Sequence, residues 1–340
     1  MEPQNCAQSI SQDPSIEEFM ATVDSLRLAI EPILREPYSG RRRRPPYDPL
    51  CVLKAILYRT RTDSLRQLCR ELRSNPRLLR LIGLAKVPPH QTFSVFLKRI
   101  GEERLHRISQ LIVLELKKYW PDFGEILSVD GTVVKAYAKR NRGFLSTTDP
   151  DARLGYKEHR SGKPVFEFGY RYTIASDSQR DIPITCVAKP ANANESRLFP
   201  AILKQVKNLG IQFEVVITDA QYDSRRNILL TIAYGAKPII ALNPRSSKTA
   251  KQTGTRRADA ILPIQRNSPE WKRYLAMRSS SERVNSSLKD LVGLETLKVR
   301  RLPQIAAFFW ICAIAKQLFA LSAARLGRDE LCRSVLVWCY

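Results

Sequence analysis

Apolar positions recur at intervals of three and four through the first third of the chain, then give way to short continuous runs. Residues 14–36, PSIEEFMATVDSLRLAIEPILRE, carry the helical period with an acidic first turn. After a break at YSGRRRRPPYDP the period returns in PLCVLKAILYRT, SLRQLCRELRSNPRLLRLIGL and QTFSVFLKRIGEERLHRISQLIVLELKKYW. Ser64, Asn75 and Thr92 stand where helices can begin, because their side-chain oxygens accept the unpaired N–H groups of a first turn. From about residue 122 strand-like runs appear at EILSVDG, VFEFGYRYTIAS, IPITCVAKP, EVVITD and KPIIALN, with DSQRD reading as a hairpin turn. Between the later runs, Asn194 to Leu209 sets Leu198, Ile202, Leu203 and Val206 on one helix face. Asp223 is placed to cap a helix reaching about Tyr234. The order is three strands, helix, strand, helix, strand, then further helices. It predicts a mixed α/β sheet with flanking helices, preceded by an all-α N-terminal domain.

Two strands run into carboxylates. Asp130 follows Ile126, Leu127 and Val129, and Asp219 follows Val215, Val216 and Ile217 two residues on. Side chains at strand ends leave the packed layer, and functional groups collect there. A carboxylate in that place is costly unless it is paired or metal-bound. Two of them a few Å apart repel, and a divalent cation with a preference for oxygen, Mg²⁺ or Mn²⁺, resolves the repulsion. Each aspartate alone also reads as a turn or cap residue. A third acid is available in RYLAMRSSSERVNSSLKDL, where Arg278, Glu282 and Lys289 fall near one face of a helix. That spacing is equally that of a surface ion pair. Asp223 is assigned to capping, and Asp149, Asp151, Asp177 and Asp181 to loops and turns.

Composition narrows the partner and the metal. Among 340 residues, 56 Lys and Arg stand against 33 Asp and Glu, a net charge of +23. An excess of this size suggests a polyanion, nucleic acid or an anionic membrane surface. Arg41, Arg42, Arg43 and Arg44 form a continuous basic arm, and Arg66, Arg70, Arg73, Lys98 and Arg99 lie among the early helices. Short helices with basic faces are compatible with a helix-turn-helix reader of DNA or with a plain helical bundle. The three histidines have no metal-ligand spacing to any of the seven cysteines, so a metal here is held by oxygen. The odd cysteine count, with no CxxC pair, reads as reduced thiols. The start of the chain lacks the basic and apolar regions of a signal peptide. The apolar run Ile305 to Ala315 is broken by Lys316 and Gln317, which suits a buried helix better than a membrane span.

Asp-Gly-Thr at 130–132, Asp-Ala-Gln-Tyr-Asp-Ser at 219–224 and R-x3-E-x6-K at 278, 282 and 289 together resemble the DDE transposases of bacterial and archaeal insertion sequences. The segment 46–100 and the stretches DPDARLGYK and VAKPANANESRLFP resemble other parts of that family, so the likeness covers roughly residues 46–325. Two departures stand out. The family's tyrosine is expected at 275, where this chain has Leu, with Tyr274 one position early. Gln221 replaces the usual Gly.

The resemblance implies a ribonuclease H-like catalytic domain in which Asp130, Asp219 and Glu282 hold two Mg²⁺ (or Mn²⁺) ions for DNA strand cleavage and transfer. It implies DNA contacts from Arg278, Lys289 and Tyr274, with Arg41–Arg44 and the helical domain serving end recognition. The expected layout is an N-terminal helix and arm (1–45), a helical DNA-binding domain (46–120), a catalytic domain (121–325) with a basic insertion near 244–273, and a tail (326–340). The partners implied are transposon ends and target DNA, with a homodimer in the complex, in the cytoplasm at the nucleoid and without a membrane. A nuclease of the same fold that does not join strands, or a repressor that has lost catalysis, would carry many of the same features.

Overall fold

A computed structural model describes residues 15–39, 45–59, 64–139, 146–158, 164–243, 257–296 and 298–333. The chain divides into two compact units. One comprises the described residues up to Tyr119 together with Leu288–Thr296 and those from Ala307 onward. The other is Trp120–Ser287 with Leu297–Ala306. The second unit begins at Trp120, and residues from Ala307 onward group with the N-terminal helices.

The helical unit contains α1 (Ile16–Ser25), α2 (Arg27–Arg35), α3 (Pro49–Arg59), α4 (Leu65–Ser74), α5 (Pro76–Ile82) and α6 (His90–Tyr119). Its starts follow the chemistry of the first turn. Ser15 and Glu18 form a reciprocal capping box on α1, Ser64 Oγ accepts from Gln67 N, and Asn75 Oδ1 accepts from Leu78 N. Gly83 ends α5 at φ +89°, a conformation that costs glycine nothing. Thr92 does not open α6, which begins at His90. Gly101, at φ +69°, breaks α6 instead. Arg41–Arg44 lie outside the described residues.

The second unit is built on a six-stranded sheet: β1 (Ile126–Lys135), β2 (Arg153–Glu158), β3 (Pro164–Asp177), β4 (Ile182–Pro190), β5 (Val215–Thr218) and β6 (Lys237–Ile240). Its order is β2-β3-β1-β5-β6, with β4 also paired to β3. The β1, β3 and β4 ladders are antiparallel, whereas β5 lies parallel to β1 and β6 parallel to β5. This is the mixed sheet expected from the sequence. β2 is an addition, because RLGYKE shows neither a continuous apolar run nor clean alternation.

The helices of this unit are α7 (Glu195–Asn208), α8 (Arg225–Ala233), α9 (Pro269–Ala276) and α10 (Ser279–Ser286). Asn194 caps α7 and Ser268 caps α9. All four residues of β5 are buried, as a central parallel strand requires. Trp271 of α9 joins Val215, Ile217, Ile239 and Ile264 in one apolar cluster.

The last long helix, α11 (Leu302–Arg325), is long and apolar enough to cross a membrane, yet its apolar stretch is completely buried. The two residues that interrupt the apolar run are satisfied inside the protein. Lys316 Nζ donates to Arg333 O at 2.5 Å, and Gln317 Oε1 accepts from Ser109 Oγ at 2.9 Å. Asp149 and Asp151, placed in loops by the sequence, receive Arg301 N and Leu302 N at the start of this helix.

Candidate active site

Asp130 does not end its strand. β1 continues to Lys135, and Asp130 sits near its middle. What ends there is the parallel neighbour. Val129 of β1 is paired with Thr218, the last residue of β5, so the next residues of the two strands are Asp130 and Asp219. Two adjacent parallel strands in register therefore deliver two carboxylates side by side, one from a strand interior and one from a strand end. Both side chains are partly buried. Burial, with the neighbouring Asp219 charge second, pushes Asp130 up to about 6. Burial also raises Asp219, against the opposing effects of the Gln221 N–H and of Arg278. Asp219 Oδ1 accepts from Gln221 N at 2.9 Å, which fixes the turn after β5. Gln221 serves here through its backbone, so its side chain in place of a glycine leaves that contact intact.

Glu282 sits in the first turn of α10 and is exposed. It pairs with Arg278, one turn before it, at 2.9 Å. Among the described residues, no three acidic, histidine or cysteine side chains stand close enough to hold a metal as they are. The aspartate pair is assembled and Glu282 stands apart from it. The donor set still fits a divalent cation: partly buried carboxylates whose charges disfavour one another, with oxygen as the only ligand type.

The helix that carries Glu282 is tied to the sheet through two residues that follow it, Arg283 and Asn285. Arg283 makes a two-pronged ion pair with Asp181 in the β3–β4 turn, at 2.6 and 2.9 Å. Asn285 Nδ2 donates to Asp130 Oδ2 at 2.9 Å. The spacing to Lys289 is not that of one regular α-helix, because Ser287–Leu291 forms a π-helical turn. Lys289 pairs with Glu295 at 3.2 Å. Tyr274 is half-buried against the Val215–Ile239–Trp271 cluster, with the Arg273 guanidinium 5.2 Å from its ring centroid.

A buried group absent from the sequence reading lies under the aspartates. Glu195, the first residue of α7, pairs with Arg171 of β3 and accepts from Tyr222 Oη at 3.2 Å. Arg171 also donates to Ala191 O and to Tyr156 O, each at 3.1 Å. Burial lowers the Arg171 pKa, while the charges of Asp130 and Asp219 act the other way. Burial lifts Tyr222 well above its ordinary value, and both aspartates add to the rise. Gly131 is needed because a Cβ there would run into the Glu195 carboxylate. No spacing in the sequence joins residues 131, 171, 195 and 222, since each comes from a different element. Asn285 was within reach of pattern reasoning, three positions after Glu282.

Asp223, expected to cap α8, does not. Ser224 is the cap, accepting from Asn227 N, and Asp223 pairs with Arg266 at 3.0 Å while accepting from Asn243 N at 2.9 Å.

The model of the Transposase DDE domain family matches residues 121–318, more than half of the chain, and a second model described as a transposase domain matches residues 4–99. The chain belongs to the DDE transposases. Its activity is transposition by DNA strand cleavage and strand transfer, and enzymes of this family work with divalent metal ions. No curated protein sequence matches the transposase significantly. Among solved structures it is similar to the piggyBac transposase synaptic complex with hairpin DNA, with 12% identity, 96% of this chain and 79% of that one covered, and a TM-score of 0.45. It is also similar to the Mos1 transposase paired-end complex with left transposon end, at 13% identity, 77% and 83% coverage and a TM-score of 0.22. Both likenesses are loose, and the assignment of the transposase to its family rests on the domain match.

Proposed function

We propose that Asp130, Asp219 and Glu282 carry the metal-dependent chemistry of this transposase with two Mg²⁺ (or Mn²⁺) ions, at the terminal inverted repeats of an insertion sequence. The observation that carries the reading is the juxtaposition of Asp130 and Asp219 by the in-register β1–β5 pair. Bound ions of this kind activate a water or a 3′-hydroxyl and stabilise the leaving oxygen at phosphorus. The protein's part is to hold the two carboxylates together before any ligand arrives. It also keeps Arg171, Glu195 and Tyr222 beneath them, and it keeps Glu282 on a helix anchored beside them. Arg278 neighbours both aspartates and pairs with Glu282, so a DNA phosphate that draws Arg278 away leaves Glu282 available to a cation. Lys289 and the Arg41–Arg44 arm add further DNA contacts, and Tyr274 braces the helix before Arg278.

The helical unit supplies a DNA-binding face. Arg66, Arg70 and Arg73 lie on the exposed side of α4 and, with His90, line one shallow cavity. Other arginines of this unit have acids: Arg77 pairs with Glu17, Arg35 with Glu31, and Arg104 and Arg107 with Glu36. Three like charges on one helix face with no acid among them suit a phosphate backbone. Two transposon ends must meet before transfer to target DNA, which favours a homodimer in the complex, acting in the cytoplasm at the nucleoid.

The test is cleavage of a labelled duplex bearing the element's end, with Mg²⁺ or with EDTA, by the wild type and by Asp130→Ala, Asp219→Ala and Glu282→Ala. Cutting by the metal-loaded wild type alone, leaving a 3′-hydroxyl that joins target DNA, is the expected result. Cutting by any of the three variants at the wild-type rate removes that residue from the reading. Cutting without joining turns the assignment toward a nuclease.

A further inference from the structure

Asn285, on the helix of the third acid, reaches the first acid with its side-chain amide. Its Nδ2–H group is held by Asp130 Oδ2 at 2.9 Å, while Glu282, one turn earlier on the same helix, faces Arg278. Residues three apart on an α-helix share a face, so whatever fixes Asn285 also fixes the height and rotation at which Glu282 leaves α10.

The chemistry of the contact suits a carboxylate that must bind a cation. An amide N–H supplies a directional hydrogen bond without charge. A lysine or arginine at 285 would neutralise Asp130 and repel the incoming ion, and an aspartate would offer no donor at neutral pH. Arg283, two residues earlier, makes its ion pair to Asp181 on the other side of β3, so α10 is pinned at two separate points of the sheet. The Arg283 contact touches no catalytic group. The Asn285 contact touches Asp130 itself.

We propose that Asn285 is a positioning residue of the reaction: its amide sets the rotation of the Asp130 carboxylate and, through α10, the placement of Glu282 for the shared cation. This inference rests on the reading of Asp130, Asp219 and Glu282 as the metal site. Hydrogen-bonding partners that orient metal ligands are typically worth about 10–100-fold in metal affinity or activity.

The experiment uses the full-length protein without DNA and follows free Mn²⁺ by its electron paramagnetic resonance signal. End binding by gel shift and thermal unfolding are recorded on the same samples. Asn285→Ala is expected to weaken Mn²⁺ binding about ten-fold or more, with end binding kept. Asn285→Gln, which restores an amide N–H, is expected to recover a large part of the loss. Alanine favours a helix and position 285 is only half-buried, so the fold should survive. Asn285→Leu, closer in volume, repeats the comparison should Ala prove unstable. Mn²⁺ affinity within two-fold of wild type in Asn285→Ala overturns the proposal, as does an equal loss in the Ala and Gln variants, which would make the role one of shape. Asp130→Ala is the reference. If it abolishes Mn²⁺ binding while Asn285→Ala does not alter it, only the positioning role fails. If Asp130→Ala itself binds Mn²⁺ normally, the metal-site reading fails with it.

Discussion

Arg283 Nε stands 2.6 Å from Asp181 Oδ2 and its second guanidinium nitrogen 2.9 Å from Oδ1, closing a planar two-pronged pair between α10 and the β3–β4 turn. Asp181 is almost fully buried and holds φ at +57°, a left-handed conformation that a short polar side chain tolerates. The Arg283 side chain is 48% exposed, so solvent screens the pair from its side. Arg283→Ala leaves a buried carboxylate short of its cation. The expected cost is about 1–2 kcal/mol in urea unfolding, below the roughly 3–5 kcal/mol of a fully buried pair. Strand cleavage should fall by at least ten-fold, since the helix that loosens carries Glu282. Full activity in a destabilised variant would show that α10 needs no such anchor.

The two neighbours at 223 and 224 separate a cap from a buried ion pair. Ser224→Ala removes one capping hydrogen bond and should cost about 1 kcal/mol. Asp223→Ala takes an acid from Arg266, which is nearly inaccessible and also bound to Asp259 and to Ile240 O, and should cost about 3–5 kcal/mol. Equal losses in paired denaturant titrations would refute the division of roles.

The metal-free enzyme should lose stability as pH rises through the titration of Asp130. Its folded pKa, about 6, lies above the roughly 3.9 of an unfolded aspartate, so the folded state binds the proton more tightly. The contribution is complete below pH about 4 and disappears as pH passes 6, with a ceiling of about 3 kcal/mol for a shift of this size. His106, whose pKa burial lowers, works in the opposite direction as pH falls. The informative quantity is therefore the difference between wild type and Asp130→Asn, in which His106 cancels. The variant should be the more stable of the two at pH 8 and should have the flatter profile. Superimposed unfolding curves in EDTA across pH 4–8 would contradict the origin assigned to the shift.

Gly131→Ala places a methyl group where the Glu195 carboxylate lies, in the residue next to Asp130. Overpacking of a buried site costs typically about 1–3 kcal/mol, and here the yielding group is an acid paired with Arg171. Cleavage should drop by about 100-fold while end binding by the helical unit is retained. A gel shift and a cleavage assay on the same preparation check the two halves. Wild-type cleavage would mean that the group beneath the aspartates is free to move.

Much of the fold was legible because its strands and helices announce themselves locally. The apolar runs at 215–218 and 237–240, the caps at Ser64 and Asn75, and the turn DSQRD each depend on residues within a few positions. β2 escaped because its pairing with β3 is satisfied by backbone groups, and backbone pairing leaves no apolar signature in RLGYKE. Asp130 was singled out as a carboxylate ending a strand, but it lies inside β1. Whether a strand continues depends on its neighbours, and β3 pairs with β1 for five residues beyond Asp130 while β5 has already ended.

What the sequence by itself determined is the alternation of helix and strand, the basic excess, the family motifs and the two acids that follow apolar runs, since periodicity, charge and motif order are properties of consecutive residues. Tertiary structure alone decided that Asp130 and Asp219 are neighbours, that Asn285 holds the first of them, that Glu282 pairs with Arg278, and that Glu195 and Arg171 lie beneath Gly131. Those contacts join residues up to 155 positions apart in the case of Asp130 and Asn285. They arise from strand register and helix docking, which are set by the burial of the whole sheet and by no local pattern.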